Sequence, residues 1–418
     1  MKILPFLFLF VLIPGLISLS AQTALPDTAS RESAPAPAAE NLGDAALEAE
    51  LAEQLGAEAD TTAAKPQSSP ALQGSQARPG GLLNPQISAI GSFVAAGTEK
   101  EAVVKPLNLG LSEAEFSFQA YVDPYSRADF YFAFGSETED PFLGPDSEAA
   151  ASGEFEAELE EAYLTILSLP FGLQIKAGKF RSNFGRINPV HPHALDYIDY
   201  PRMYVNYLGG EGLSDKGAAL NWLIPNPLDF YQELSLEVTS AALDGPSFQG
   251  GSKHLLYLGH LKNFFDLNDN TTLELGLSGI YGPNNAEGDK TAIGAADLTL
   301  IWKPLRYNRY RSFAWTTEAL FSNRKMPGEE VNSYALYSFM RYQIGRRWFI
   351  GARYDYSEFP EHNCRNEKAY SAMLNFYATE FQKIELQFQH GVPAEFDSFN
   401  RVLLRAVFVI GAHGAHKY

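Results

Sequence analysis

Apolar and polar residues alternate along most of the chain between about residue 84 and the C-terminus. In residues 114–120 (AEFSFQA), alanine and phenylalanine occupy one face, and glutamate, serine and glutamine occupy the other. Residues 383–389 and 401–410 repeat this pattern. A period of two is typical of a β-strand with one apolar and one polar face. The pattern therefore predicts an all-β protein.

The alternating runs predict about sixteen antiparallel strands, the length and pattern expected of barrel strands. The predicted strands are residues 86–95, 111–122, 128–135, 155–168, 171–180, 216–224, 231–240, 254–264, 271–281, 291–303, 311–321, 333–343, 346–356, 369–378, 382–390 and 398–411. The gaps between them alternate between long and short, as do the outer loops and periplasmic turns of a bacterial barrel. Residues 322–332 and 357–368 are among the gaps predicted to be long loops.

An apolar row on every strand requires either lipid or a second sheet to cover it. Beyond the N-terminus the sequence has no apolar run of about 20 residues that could form a transmembrane helix. A closed barrel pairs all of its backbone polar groups and can therefore span a bilayer. A soluble β-sandwich or propeller is the alternative, but it would leave many of these rows uncovered. The prediction is a transmembrane antiparallel β-barrel of about sixteen strands.

The first residues indicate export. Met1 and Lys2 precede an apolar run that ends near Leu19, and small residues stand before Ala21. This order of charged, apolar and small residues predicts a cleaved signal peptide at residues 1–20, with an uncleaved membrane anchor as the alternative. Export and a barrel together predict a location in the cell outer membrane.

The segment at residues 21–83 differs from the rest of the chain. It is rich in Ala, Pro, Glu, Ser and Gln and poor in aromatic residues, a composition that predicts a disordered periplasmic linker. Within it, residues 44–59 carry leucines at a spacing of four, which predicts one amphipathic helix. That helix would be either transient or a short docking or oligomerising element. The barrel is predicted at residues 84–418.

Charge and motifs exclude several classes of function. The chain has 418 residues and a formal net charge of −18, which argues against a nucleic-acid partner. It lacks a Gly-x-Ser-x-Gly motif, a phosphate-binding Gly-rich loop with Lys, and a His-Glu-x-x-His motif. The chain is therefore not expected to be an enzyme.

Several short motifs resemble those of known outer-membrane proteins. They are residues 123–125 (DPY), 160–164 (EEAYL), 178–181 (GKFR), 184–188 (FGRIN) and 191–193 (HPH). With them the chain resembles the porin-like outer-membrane β-barrel proteins of Gram-negative bacteria. Within these it is similar to a sparsely characterised group labelled zinc-regulated or TonB-dependent outer-membrane proteins and, at residues 178–188, to phosphate-selective porins. The resemblance implies outer-membrane lipid and small hydrophilic solutes as partners, and a homotrimer as an assembly.

The longest gap, between the fifth and sixth predicted strands, is expected to fold into the lumen and narrow it. Its mixed charges could set an electric field across a narrow pore. The predicted constriction residues are Arg181, Arg186, Asp196, Asp199 and Arg202. The alternative is an outer loop packed on the rim by its tyrosines.

Charged residues on the polar strand faces are predicted to line the lumen. These residues are Glu115, Glu161, Lys176, Arg353, Glu385, Arg401 and Arg405. Its basic members would favour anions if they formed a ladder, because guanidinium groups pair with anionic oxygens. The alternative is that both signs form ion pairs that brace the wall.

His191 and His193 are candidate metal ligands. Imidazole and carboxylate groups are the ligands of Zn²⁺ sites, and Asp196 and Asp199 follow closely. Pro192 favours an extended backbone, in which both histidines can face one ion. Hydrogen-bonded structural histidines are the alternative, and no other cofactor is expected.

Three functions are compatible with the sequence. The first is a passive channel for small hydrophilic solutes, including anionic ones, narrowed by the loop after strand five. The second is a metal-linked or TonB-dependent-type uptake barrel, and the third is a structural or adhesive outer-membrane barrel.

Overall fold

The structure is a computed structural model that describes residues 85–99, 107–135, 140–142, 156–228, 230–243, 245–250 and 253–411. The predicted signal peptide at residues 1–20 and the predicted linker at residues 21–83, with its amphipathic helix, lie outside these described residues. Among the described residues, no helix is both long and apolar enough to cross a membrane.

Sixteen strands within the described residues form one closed antiparallel barrel. They are β1 (Gln86–Thr98), β2 (Leu107–Asp123), β3 (Ser126–Gly135), β4 (Glu156–Leu169), β5 (Leu173–Arg181), β6 (Ser214–Leu223), β7 (Tyr231–Thr239), β8 (Leu256–Asn268), β9 (Thr271–Pro283), β10 (Lys290–Trp302), β11 (Phe313–Met326), β12 (Glu329–Gln343), β13 (Trp348–Phe359), β14 (His362–Thr379), β15 (Gln382–Val392) and β16 (Phe399–Gly411). Each strand pairs with its sequence neighbour, and β1 pairs with β16 to close the ring. The prediction of a sixteen-stranded antiparallel barrel is confirmed.

Each strand shows one face to the outside and one to the lumen. In β16, Val402, Leu404 and Phe408 are 46%, 45% and 38% exposed, whereas Arg401 and Arg405 are buried. A closed barrel with apolar residues outside and charged residues inside matches a lipid-facing exterior and an enclosed interior. The alternation therefore identifies the barrel as membrane-spanning.

Exposed aromatic residues lie at both ends of the barrel wall. Tyr121 and Trp348 are near the end that carries the short turns, and Tyr257 and Tyr281 are near the opposite end. Aromatic girdles at these heights are typical of membrane barrels. Phe180 does not join them, because it is 1% exposed and faces the interior.

Two of the predicted long loops are instead tight hairpins. β11 and β12 stay paired to Met326 and Glu329, and Phe359 pairs with His362 between β13 and β14. Gly328 has a φ of 81°, which suits the third position of a type II turn after proline. The prediction of long loops at residues 322–332 and 357–368 was wrong. Lys325, Glu329 and Glu330 at the ends of β11 and β12 are exposed and charged. A strand ladder needs no apolar row where both of its faces meet water.

The long connection between β5 and β6, residues 182–213, is named the inward loop here. It contains a short 3-10 helix (Pro192–Ala194) and helix α1 (Arg202–Leu208). All residues of α1 except Val205 are buried, and α1 packs against β12, β13 and β14.

Candidate functional site

The inward loop crosses the interior of the barrel. Near its start, the Gly185 N–H donates to Ser278 Oγ of β9 at 3.0 Å. Further along, His191 Nδ1 lies 2.8 Å from Glu115 Oε2 of β2. In a ring of sixteen strands β9 and β2 are almost opposite each other. The loop therefore bridges two facing walls instead of packing only on the rim.

One side of the inward loop packs in an apolar core inside the barrel. Phe184, Met203, Tyr204 and Tyr207 of the loop are each 0% exposed. They cluster with apolar inward residues of the wall, namely Leu256, Leu258, Ile280, Ile293, Leu320, Tyr337, Phe339 and Met373. The prediction that inward positions are polar was therefore wrong on this part of the wall. Apolar residues on both strand faces, as at residues 255–258 (LLYL), were the available signal.

Glu318 of β11 is a polar anchor within this core. The hydroxyl of Tyr204 donates to Glu318 Oε2 at 2.7 Å, and that of Tyr337 donates to Oε1 at 2.5 Å. The Arg186 N–H also donates to Oε2 at 3.1 Å. A Cβ at Gly185 would lie 2.0 Å from Oε2, and the φ of Gly185 is 58°. The FGR motif therefore requires glycine because the loop backbone approaches this carboxylate closely.

Asp199, on the polar side of the loop, contacts four side chains of the wall. Its carboxylate lies 2.9 Å from Arg353 Nη2 and 2.8 Å from Arg401 Nη2. Gln387 and Gln389 of β15 also donate to it. Burial alone would raise the pKa of Asp199, but the two arginines outweigh burial and hold this pKa well below its usual range. Asp199 therefore ties the loop to β13, β15 and β16.

The other four predicted constriction residues are also bound to the wall or the loop. Arg341 Nη1 donates to both oxygens of Asp196 at 2.5 and 2.6 Å. The remaining contacts are Arg181 with the carbonyls of Asn188 and Glu211, Arg186 with Glu274 at 2.8 Å, and Arg202 with Asp140 and Glu367. Arg181 and Arg202 are buried, whereas the side chains of Arg186 and Asp196 are partly exposed. Arg186 and Asp196 are therefore the most exposed of the five constriction residues, followed by Asp199.

The structure places the seven predicted lumen residues on the inner face. Glu115 and Glu161 lie beside His191, and Arg353 and Arg401 bind Asp199. The other contacts are Arg405 with Glu385 and with the carbonyls of Pro192, Leu195 and Tyr197, and Lys176 with the rings of Tyr163 and Phe180. The predicted basic ladder is thus engaged by carboxylates, carbonyls and rings.

His191 is the centre of an acidic cluster. Its Nδ1 lies 3.1 Å from Glu160 Oε2, in addition to the Glu115 contact, and its Nε2 lies 2.9 Å from Glu161 Oε1. Burial opposes protonation of His191, but Glu115, Glu160 and Glu161 outweigh burial and raise the pKa of His191 well above its usual range. An imidazolium at this position would link β2 and β4 to the loop.

A β-bulge explains why two consecutive glutamates reach His191. The register between β3 and β4 runs from Tyr131 opposite Glu161 to Phe132 opposite Leu159, which leaves Glu160 as the extra residue. A bulge redirects side chains locally, so Glu160 and Glu161 both reach the lumen. The sequence alternation placed only Glu161 there, because a bulge leaves no mark in a period-two pattern.

The structure brings His193 into the same cluster. Its Nδ1 lies 3.2 Å from Glu113 Oε1 and 3.7 Å from Glu115 Oε2. The ligand atoms of Glu113, Glu115, His191 and His193 all lie within 4.8 Å of one another. Asp196 and Asp199, suggested as companions of the histidines, bind arginines elsewhere in the lumen. Two glutamates of β2 therefore take the place proposed for the two aspartates.

No known family model matches the chain. The chain is 32% identical to an uncharacterized protein of Aquifex aeolicus (strain VF5) over 362 residues, which are 77% of this chain and 72% of that protein. The chain belongs to the family of that protein.

The solved structures that are similar to this chain are outer-membrane barrels. They include Pseudomonas putida OprB at high pH (TM-score 0.53, 10% identity, 78% of this chain and 94% of that chain). An anion-selective porin from Comamonas acidovorans has a TM-score of 0.52 and 12% identity, and the match covers 78% of this chain and 99% of that chain. A loop L8 deletion mutant of OmpT, an outer membrane protein of Vibrio cholerae, has a TM-score of 0.51 and 9% identity, with the same coverage of 78% and 99%. These likenesses show a porin-like fold. With the apolar exterior, the fold places the chain in the cell outer membrane.

Proposed function

We propose that this barrel is a porin-like channel for passive diffusion of small hydrophilic solutes, narrowed by the inward loop. The observation that carries the proposal is the loop itself, which is anchored to nearly opposite strands inside a closed barrel. Its apolar side fills the space near β8 to β14, so solutes would pass on the polar side. Arg186 and Asp196 are the constriction residues best placed to meet them.

We further propose that the channel prefers cations weakly or is close to neutral, in place of the anion preference expected from a basic ladder. Arg353 and Arg401 share Asp199, and Arg405 pairs with Glu385. Arginines already paired with carboxylates add little positive potential to a pore. The carboxylates around His191 add negative charge to the same lumen.

Planar-bilayer recording of the purified barrel tests both parts of the proposal. We expect ohmic single-channel conductance. In a salt gradient, the reversal potential should be close to zero or should have the sign that indicates a preference for cations. Arg186→Gln, which removes a partly exposed positive charge, should shift the reversal potential toward cations. Lys303→Gln, in a turn at the end of the barrel, is a control for a charge change away from the loop. Well-folded protein that gives no conductance would contradict the channel function.

A homotrimer and the absence of enzymatic activity remain predictions. One similar solved structure, OmpT of Vibrio cholerae, is described as a trimer form, and this supports a test of the assembly. Chemical cross-linking in native outer membranes should trap species of three chains, whereas a ladder that stops at one chain would contradict the trimer.

A further inference from the structure

We propose that Glu113, Glu115, His191 and His193 form a binding site for Zn²⁺ that fastens the inward loop to β2. The histidines come from the inward loop beside its 3-10 helix, and the glutamates come from the inner face of β2. A bound ion would join two segments that are distant in sequence, since His193 and Glu113 are 80 residues apart. This inference does not depend on which solute the barrel passes.

The distances between the donor atoms match a tetrahedral metal shell. Glu115 Oε2 lies 2.8 Å from His191 Nδ1 and 3.7 Å from His193 Nδ1, and His193 Nδ1 lies 3.2 Å from Glu113 Oε1. Metal-to-ligand distances of about 2.0 to 2.2 Å in a tetrahedral zinc site place its ligands roughly 3.3 to 3.6 Å apart. Two of these three distances are close to that range and the third is shorter, and all four donor atoms lie within 4.8 Å of one another. Side-chain shifts on the order of 1 Å would therefore place the four donors around one ion.

The burial of the Glu115 carboxylate points independently to a bound cation. It is 1% exposed, and within the described residues neither of its carboxylate oxygens accepts a hydrogen bond of good geometry, although Oε2 lies 2.8 Å from His191 Nδ1. A buried carboxylate without hydrogen bonds is costly unless a cation compensates it. Its Oε2 lies 2.8 Å from His191 Nδ1 and 3.7 Å from His193 Nδ1, and imidazole nitrogens are themselves metal ligands. A divalent ion between these groups would satisfy the carboxylate and both rings.

The surroundings of His191 have the arrangement of an outer ligand shell. Its Nε2 lies 2.9 Å from Glu161 Oε1, and its ring lies against the ring of Tyr131 at a centroid distance of 5.0 Å. Histidines that bind metals usually donate their second ring N–H to a carboxylate, which fixes the tautomer and the ring orientation. With the ion bound, Glu161 would accept the Nε2–H, and the ion would replace the proton that Nδ1 carries in the imidazolium. The Glu160 carboxylate, 3.1 Å from the same Nδ1, is available as an additional oxygen ligand.

The type of donor selects the metal. Two imidazole nitrogens and two carboxylates favour Zn²⁺ or a similar first-row ion, whereas Ca²⁺ and Mg²⁺ prefer shells made only of oxygen. The net negative charge of the glutamates also favours a divalent cation over a monovalent one.

Isothermal titration of the folded, chelator-treated barrel with Zn²⁺ tests the site. We expect one high-affinity ion per chain, and an affinity at least tenfold lower in Glu115→Gln and in His193→Gln. Glu161→Gln should weaken binding by roughly 10- to 100-fold through the outer shell. His260→Gln is the matched control, because His260 is also a buried inward histidine but bonds to Ser278 of β9. It should keep the affinity of the unmodified chain.

A spectroscopic readout keeps the test independent of how well the variants fold. Co²⁺ titrated into the unmodified barrel should give the strong visible absorption of a tetrahedral site, and Zn²⁺ should displace it. The proposal is overturned if the unmodified barrel binds no Zn²⁺, or if folded Glu115→Gln and His193→Gln bind it as tightly as the unmodified chain. Zinc binding in a barrel without conductance would support the site and contradict only the channel function.

Discussion

Asp199→Asn should release part of the inward loop from the barrel wall. The substitution keeps the shape of the side chain but removes the charge shared by Arg353 and Arg401. Both arginines would then lie in the lumen without this counter-ion, although Arg353 keeps Asp355 at 2.8 Å. The apolar side of the loop does not involve Asp199, so the barrel itself should still form.

The size of the effect follows from the burial of the three partners. Removing one partner of a buried ion pair costs roughly 3–5 kcal/mol. The side chain of Asp199 is 17% exposed and Arg353 retains a second carboxylate, so the cost should fall to about 2–4 kcal/mol. This cost corresponds to a roughly 30- to 700-fold larger population of the open loop, since 1.4 kcal/mol is about tenfold.

Hydrogen exchange measured by mass spectrometry reports this population directly. Peptides from the inward loop should lose protection by that factor, and peptides from β8 to β11 should not change. Asp129→Asn is the control, because Asp129 is an inward carboxylate paired with Arg127 on the wall and away from the loop. Unchanged protection of the loop in Asp199→Asn, or an equal loss in Asp129→Asn, would refute the role of Asp199 as an anchor.

Three further predictions concern the inward loop and the barrel wall. Because the pKa of Asp199 is lowered in the folded state, its contribution is complete above about pH 4 and is lost as the pH falls further; loop protection should therefore drop in acid, and less so in Asp199→Asn. Met203→Ala removes a fully buried side chain and should cost roughly 2–5 kcal/mol of loop packing, visible in the same exchange experiment, whereas no change would contradict the core position. Leu404→Arg puts a charge on the lipid face and should lower the free energy of unfolding in urea by roughly 2–4 kcal/mol. An unchanged urea midpoint would indicate that Leu404 faces the lumen.

The strands could be predicted because their pattern is local. A period-two alternation needs only neighbouring residues, and it located all sixteen strands within the described residues, with β1, β5 and β9 starting within two residues of the predicted positions. It failed where the local pattern ends. The hairpin at Gly328 continues the ladder without an apolar row, and the bulge at Glu160 breaks the alternation by one residue.

The candidate site was harder to predict, because its members meet across the barrel. The sequence identified His191 and His193 as ligand candidates from their residue types and spacing. It paired them with Asp196 and Asp199 because those residues are near in sequence. In the barrel, the loop turns between these pairs, so the aspartates reach β12 to β16 and the histidines reach β2 and β4.

The lipid-facing wall of the barrel could be predicted from local sequence, because the apolar residues of each strand recur at every second position. The packing inside that wall depends on tertiary contacts. The apolar core around Tyr204, the anchor at Asp199 and the glutamates around His191 are contacts between residues tens to hundreds of positions apart. Such contacts depend on ring closure and on the path of the loop, and neither leaves a periodic trace in the chain.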